Sequence, residues 1–128
     1  MKTQDSTTTL DELKENVRRF CEERRWDPYH GPHQLAIGLI TEAAELLEIF
    51  RFVPEKQLHE VLQSSREEIA DELADSLYFI LRFSQLYGFD LSQAMAAKMR
   101  KNALKYPAPT NDHEPRASGE TPGRSSPE

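Results

Sequence analysis

The stretch REEIADELADSLYFILRFSQLY, residues 66–87, decides the fold because its pattern predicts a long helix that is apolar nearly all round. Its hydrophobic side chains cover more than one helix face, and they are Leu73, Ala74, Leu77, Tyr78, Phe79, Ile80, Leu81 and Phe83. A helix of this kind is buried on several sides. Since a domain of about 100 residues struggles to bury one helix completely, we expect the protein to self-associate.

Three more long helices are predicted around this one, and no segment shows the alternation typical of a strand. The four long helices are expected at about residues 10–25, 32–51, 66–87 and 91–105. Residues 54–63, PEKQLHEVLQ, can form a short helical connector, whereas residues 26–33 contain two prolines and a glycine and are expected to form a loop. The predicted fold class is therefore all-α, a four-helix bundle.

The ends of these helices carry local signals. Capping boxes are predicted at Thr9–Glu12 and at Ser65–Glu68. Pro32 suits the first position of the second helix. Gly88 is expected to end the third long helix as a C-cap glycine, and Asp90 to cap the start of the fourth.

Composition divides the chain into three parts. Residues 1–8 are polar and are expected to form a flexible leader, and residues 9–107 to form the all-α domain. Residues 108–128 belong to a segment after Tyr106 that has no Val, Ile, Leu, Met or aromatic residue and holds five of the eight prolines. Such a segment cannot bury enough apolar surface to offset the entropy of ordering it, so we predict a disordered tail.

Charge and cysteine content indicate which classes of partner to exclude and which cellular compartment to expect. The net charge is -6 and the pI is near 5.3, which argues against a broad nucleic-acid-binding face because such a face needs a basic surface. No apolar run approaches the ~18 residues of a membrane helix, and the polar N-terminus does not resemble a signal peptide. Cys21 is the single cysteine and can form no internal disulfide. We expect a cytoplasmic protein with neither nucleic acid nor membrane as partner.

Two acidic pairs share one spacing within the helix-forming runs. Glu42 and Glu45 stand in TEAAELLEIF, and Glu72 and Asp75 stand 30 residues later in DELADSLYFI. Residues three apart on a helix are neighbours, and two acids there repel each other, more strongly beside apolar side chains. One interpretation is a pair of solvated acidic faces. The other, which the recurrence in two long helices favours, is that facing antiparallel helices bring four carboxylates around a divalent metal.

The carboxylate side chains of the two pairs favour a particular metal ion and a particular class of substrate. Oxygen-only ligands suit Mg²⁺ or Mn²⁺ rather than Zn²⁺. Di-iron helical bundles use Glu-x-x-His pairs, and neither pair here has that histidine. Carboxylates that hold Mg²⁺ often share the ion with substrate phosphates. The pairs therefore point to a phosphate-bearing substrate and to phosphoryl displacement.

Two further groups of residues could complete such a site. On the fourth long helix Lys98, Asn102 and Lys105 fall on one side near Tyr106, where they could bind phosphate or simply complement the helix macrodipole. In the loop before the first acidic helix, Trp26, Tyr29, His30 and His33 form an aromatic-rich group. These rings could stack on a base or plug the end of the bundle.

At this point the sequence resembles a known family. Glu42-x-x-Glu45, 26 intervening residues and Glu72-x-x-Asp75 resemble the signature of the all-α NTP pyrophosphatases, the MazG-like superfamily. The resemblance covers about residues 10–107. The flanking segments RRWDPYHGPHQL and KMRKNALKYP look most like its dCTP pyrophosphatase branch.

The resemblance implies a function and a set of site residues. Members hydrolyse nucleoside triphosphates to monophosphate and pyrophosphate with Mg²⁺, and their helical subunits form dimers or tetramers. By motif match, the catalytic metal ligands are Glu42, Glu45, Glu72 and Asp75, and the substrate-binding residues are Trp26, His30, Phe52, Lys98, Asn102 and Tyr106. Phe52 stands where cytosine-preferring relatives carry a tryptophan, so base preference is open between dCTP, a modified dCTP and other deoxynucleotides.

Two other functions remain open. A dUTPase-like or phosphoribosyl-ATP pyrophosphohydrolase shares the helical acidic site and differs in substrate. A non-catalytic nucleotide-sensing helical dimer would bind metal and nucleotide without turnover, and nucleotide would then stabilise the protein without forming product.

Overall fold

The computed structural model describes residues 3–110. In this range the protein is built from five α-helices without strands: α1 Leu10–Glu23, α2 Pro32–Phe50, α3 Leu58–Ser64, α4 Arg66–Tyr87 and α5 Leu91–Lys105. Short 3₁₀ turns precede α2 and α3, at Asp27–Tyr29 and Glu55–Gln57. The all-α class, the four long helices and the helical connector are confirmed. The predicted tail from residue 111 onward and the first two residues of the predicted leader lie outside the described residues.

Most of the predicted helix ends are confirmed by their hydrogen bonds and dihedral angles. The Glu12 backbone N–H donates to Thr9 Oγ1 at 3.1 Å, and the Gln93 N–H donates to Asp90 Oδ1 at 2.8 Å. Gly88 ends α4 with φ 74°, a left-handed conformation that glycine adopts without steric cost. Local chemistry therefore sets where α1, α4 and α5 begin or end.

The predicted capping box at Ser65 is wrong. Ser65 is the only residue between α3 and α4, and it serves as C-cap of the first and N-cap of the second. Its backbone has φ -104° and ψ 24° rather than the extended conformation of a capping serine, and its side chain accepts no capping hydrogen bond. The preceding helix α3 thus fixes a backbone in which the serine cannot cap.

The chain divides into two units, with the boundary between Phe89 and Asp90. In the first unit α4 packs against α2, α1 and α3. The ring of Phe79 on α4 lies directly over Gly38 on α2, where an added Cβ would come within 2.3 Å of the ring. Glycine at position 38 therefore allows α2 and α4 to approach closely.

The core of the described chain is small. Its buried hydrophobic side chains are Cys21, Leu35 and Leu81. Large apolar side chains remain exposed along the two longest helices, among them Ile37, Ile40 and Leu47 on α2 and Leu73, Leu77 and Ile80 on α4. We call these six residues the apolar face.

The second unit is represented by α5. This helix has no buried residue, and Met95, Met99 and Leu104 are all exposed. None of the described helices combines the length and apolar character needed to cross a membrane.

Candidate metal centre

The packing of α2 against α4 brings three glutamates together. Glu42 and Glu45 lie one turn apart on α2, and Glu72 lies on α4. One carboxylate oxygen from each of the three lies within 4.8 Å of the others. Two oxygens on opposite sides of one Mg²⁺ are about 4.2 Å apart. The three oxygens are therefore spaced nearly as ligands of a single ion.

The electrostatics of this cluster are unfavourable without a cation. Burial, followed by contacts with the carboxylates of Glu45 and Glu72, raises the pKa of Glu42 to about 7. Burial, the contact with Glu45 and the charges of Glu45 and Asp75 also raise the pKa of Glu72, and its contact with Glu42 partly opposes them. Both shifts have the sign expected when carboxylates share a site that disfavours their charge.

Two oxygens in the cluster have neither solvent access nor a hydrogen-bond partner. They are Oε2 of Glu42 and Oε2 of Glu72. A buried acceptor without a partner is costly, and a divalent cation between the helices would offer such an acceptor a partner. The donor set, all carboxylate oxygen, suits Mg²⁺ or Mn²⁺. The residues present therefore fit a divalent metal.

Asp75 lies one helical turn beyond Glu72 on α4 and is exposed. It is close enough for its charge to raise the pKa of both Glu42 and Glu72. It is not one of the three residues whose oxygens meet within 4.8 Å. Its role as a fourth ligand therefore stays a prediction.

An acidic cleft of about 370 Å³ opens beside the cluster. It is lined by Glu45, Glu48, Ile49, Glu68, Asp71 and Glu72. Asp71 was not predicted as part of the site. The sequence spacing could have indicated Asp71. Residues 68, 71, 72 and 75 are separated by three, one and three positions, and this spacing places them on one side of a helix.

Trp26 and His30 lie at the two ends of the 3₁₀ turn that precedes α2. The Trp26 ring meets Phe20 edge-on at 5.5 Å and His30 at 6.1 Å between centroids, and it remains 39% exposed. His30 Nδ1 accepts a hydrogen bond of 3.0 Å from Arg82 Nε. Burial and the charge of Arg82 lower the pKa of His30, and Asp27 partly opposes them.

Phe52 projects from the protein just after α2. Its ring is 88% exposed and its backbone φ is 65°, a left-handed conformation that is unusual for a bulky residue. The Arg51 guanidinium lies 4.6 Å from the centre of the ring. The Phe52 ring is therefore outside the core and free to contact a ligand.

Lys98, Asn102 and Tyr106 belong to the second unit. Within α5 the Tyr106 N–H donates to the Asn102 carbonyl at 2.7 Å, and Lys105 Nζ lies 5.4 Å from the centre of the Tyr106 ring. Lys98 is exposed and Asn102 is half-buried. Their contact with substrate phosphates stays a prediction.

Comparison with known proteins identifies a matching family and several similar proteins of one name. A family model described as MazG-like matches residues 37–120. A dCTP pyrophosphatase 1 from Bos taurus is 33% identical over 104 residues, which cover 80% of this chain and 62% of the relative. The Homo sapiens protein of the same name is 31% identical over 102 residues, covering 78% and 60%. The chain thus spans about three fifths of the length of these relatives.

A solved structure is also similar over its whole length. A pyrophosphatase from Archaeoglobus fulgidus superposes with a TM-score of 0.75 and 34% sequence identity. The match covers 84% of this chain and 100% of the archaeal chain.

Proposed function

Because the chain belongs to the MazG-like family, we propose that it is a metal-dependent pyrophosphohydrolase that converts a deoxynucleoside triphosphate, dCTP or a modified dCTP, to the monophosphate and pyrophosphate. The observation that carries the proposal is the cluster of Glu42, Glu45 and Glu72, with two buried oxygens that lack a partner. The relatives named as dCTP pyrophosphatase 1 and the archaeal pyrophosphatase support the reaction and the substrate class.

In this proposal Glu42, Glu45, Glu72 and Asp75 hold Mg²⁺, and Mn²⁺ can replace it. When bound, the metal neutralises the triphosphate and makes water a better nucleophile. The clustered carboxylates can also orient the attacking water and take up its proton. Water adds to a phosphorus as the bond to the departing pyrophosphate breaks.

The remaining site residues bind the two ends of the substrate. Lys98 and Asn102 contact the phosphates as a mobile charge and an amide, and Tyr106 lies beside them in sequence. Trp26, His30 and Phe52 contact the base. The exposure of the Trp26 and Phe52 rings supports this assignment, since free aromatic faces stack on bases.

We also propose that the subunit works as a homodimer or homotetramer in the cytoplasm. The exposed apolar face on α2 and α4 supports self-association. A neighbouring apolar groove of about 300 Å³, lined by Leu35, Ala36, Leu39, Phe79, Ile80 and Phe83, offers a recess for side chains of a second copy.

A panel of nucleotides tests the catalytic proposal. The purified protein is incubated with dCTP, 5-methyl-dCTP, dUTP, dTTP, dATP, dGTP and phosphoribosyl-ATP, with Mg²⁺ or with EDTA, and pyrophosphate is measured. We expect Mg²⁺-dependent release that is fastest with a cytosine nucleotide. Glu42→Gln should lower the rate at least 100-fold, whereas Glu67→Gln, at an exposed acid of α4 outside the cluster, should leave the rate unchanged.

The same panel separates the other functions. If dUTP or phosphoribosyl-ATP is hydrolysed fastest, that nucleotide is the substrate instead of dCTP. Thermal stabilisation by nucleotide without any pyrophosphate would identify a non-catalytic sensor. Absence of Mg²⁺-dependent release from every nucleotide would refute the proposal.

A further inference from the structure

Arg82 is a buried charge that the catalytic site does not use. It is the one charged residue in the apolar run LYFILRFSQLY of α4 and is 1% exposed. An arginine cannot lose its charge in a protein, and a buried charge is retained only where it is paired and hydrogen-bonded. The partners of its guanidinium therefore indicate what it does.

The guanidinium holds both ends of the turn that carries the aromatic rings. Nη2 forms a salt bridge with Asp27, the first residue of the 3₁₀ turn, and Nε donates to Nδ1 of His30, which caps the turn. The third group, Nη1, donates to Gln85 on the same helix at 2.6 Å. A fourth bond, from the Tyr87 hydroxyl to the His30 carbonyl at 2.9 Å, reinforces the attachment. The turn is therefore fastened to α4 at two points.

Trp26 lies at the start of the attached turn. Its carbonyl accepts from the Tyr29 N–H at 2.9 Å, which closes the turn, and its ring contacts the His30 ring. The chain enters the turn through Arg25, whose φ of 56° is a conformation that non-glycine residues rarely adopt. Such a conformation persists only where the surroundings hold it. Arg82 binds Asp27 and His30 within the turn that follows.

We infer that Arg82 is a positioning residue that fixes the orientation of Trp26 through Asp27 and His30, and so sets base recognition. Because arginine only donates, His30 Nδ1 must be unprotonated and its ring proton must lie on Nε2. The inference rests on the proposed function only in its claim that Trp26 contacts the nucleotide base. The attachment of the turn stands independently of that assignment.

Trp26 is the only tryptophan in the chain, so its fluorescence reports the ring directly. Acrylamide quenching and emission wavelength are measured for the wild type, Arg82→Gln and Asp27→Ala, with Arg19→Gln as a control. Arg19 is an exposed arginine that hydrogen-bonds Asn16 on its own helix. We expect quenching to increase about twofold in the first two variants and to stay unchanged in the control. Asp27 is half exposed, so Asp27→Ala tests the inference even if Arg82→Gln does not fold.

Kinetics then test the link to base recognition. With the preferred nucleotide, both turn variants should raise KM roughly fivefold and change kcat less than twofold, because a displaced ring weakens stacking and leaves the carboxylates in place. Unchanged quenching in both variants would overturn the positioning role, whatever the activity. Increased quenching with an unchanged KM would overturn the claim that the orientation of Trp26 sets base recognition. Increased quenching in a protein that hydrolyses no nucleotide would refute the proposed function and leave the positioning of Trp26 supported.

Discussion

At the scale of single residues, Glu42 shows how a site can oppose the stability of its own fold. Its carboxylate is half-buried, faces Glu45 and Glu72, and has one oxygen without a partner. An ionised group in such a place destabilises the folded state until a cation is bound. Function and stability should therefore respond in opposite directions to the loss of this charge.

Glu42→Gln is predicted to stabilise the metal-free protein at pH 8. The substitution removes a charge that burial and neighbouring carboxylates disfavour, so the melting temperature in EDTA should rise by a few degrees. The stabilisation that Mg²⁺ gives the wild type should be largely lost. Differential scanning fluorimetry with EDTA and with Mg²⁺ measures both effects. Glu67→Gln serves as the control, and a lower melting temperature of Glu42→Gln in EDTA would contradict the prediction.

His30 gives the fold a pH dependence of known sign. Burial and Arg82 lower the pKa of His30 below its ordinary value, so between the two pKa values the unfolded chain binds more protons than the folded one. The free energy of unfolding therefore falls as the pH drops through about 6.5. Protonation of Nδ1 would also remove the acceptor that Arg82 uses.

His30→Asn is predicted to weaken this pH dependence. Asparagine offers an acceptor oxygen to Arg82 and does not titrate. Urea unfolding at pH 8.0, 7.0, 6.0 and 5.5 should show a smaller loss of stability for His30→Asn than for the wild type. His59, on the exposed side of α3, is the matched control, and His59→Asn should keep the wild-type slope. An unchanged slope in His30→Asn would contradict the assignment.

At the scale of the helices, local chemistry explains what could be predicted from the sequence. Pro32, Gly88 and Asp90 act through their own backbone or side chain, and their helix ends are confirmed. Ser65 was mispredicted because its backbone is set by α3 just before it. Spacing predicted that four carboxylates of α2 and α4 meet, and oxygens of three of them, Glu42, Glu45 and Glu72, do. The attachment of the aromatic turn by Arg82 depends on contacts more than 50 residues apart along the chain, and no local pattern encodes such contacts.

Gly38→Ala is predicted to destabilise the packing of α2 on α4. Alanine favours a helix by up to about 1 kcal/mol over glycine, but its Cβ would lie 2.3 Å from the Phe79 ring. Moving that ring costs about 1–3 kcal/mol, so the free energy of unfolding should fall. In the double variant with Phe79→Leu, the alanine should cost less than in the wild-type background. Urea unfolding of the four proteins measures this coupling, and additive effects would contradict the contact.

At the scale of the whole molecule, the core is small because many apolar side chains of the long helices remain on the surface. Three buried hydrophobic residues are few for the helices described, while Ile37 and Ile40 on α2 are 64% and 71% exposed. Apolar side chains left exposed in this number support the proposed self-association. Helix α4, which is apolar nearly all round in sequence, leaves Leu73, Leu77 and Ile80 exposed, and in the proposed oligomer a second copy would cover them.

Light scattering should therefore give a mass of at least twice the 14.8 kDa of one chain. Ile40→Lys places a charge in the apolar face and should shift the mass toward one chain at micromolar concentration, because an unpaired lysine is costly to bury. Gln63→Lys adds the same charge at an exposed position of α3 and should leave the mass unchanged. A wild type that remains at 14.8 kDa at 100 μM would show that this face is not an interface between copies. If the mass does fall in Ile40→Lys, the melting temperature should fall with it, because the same apolar surface would stabilise the fold and join the subunits.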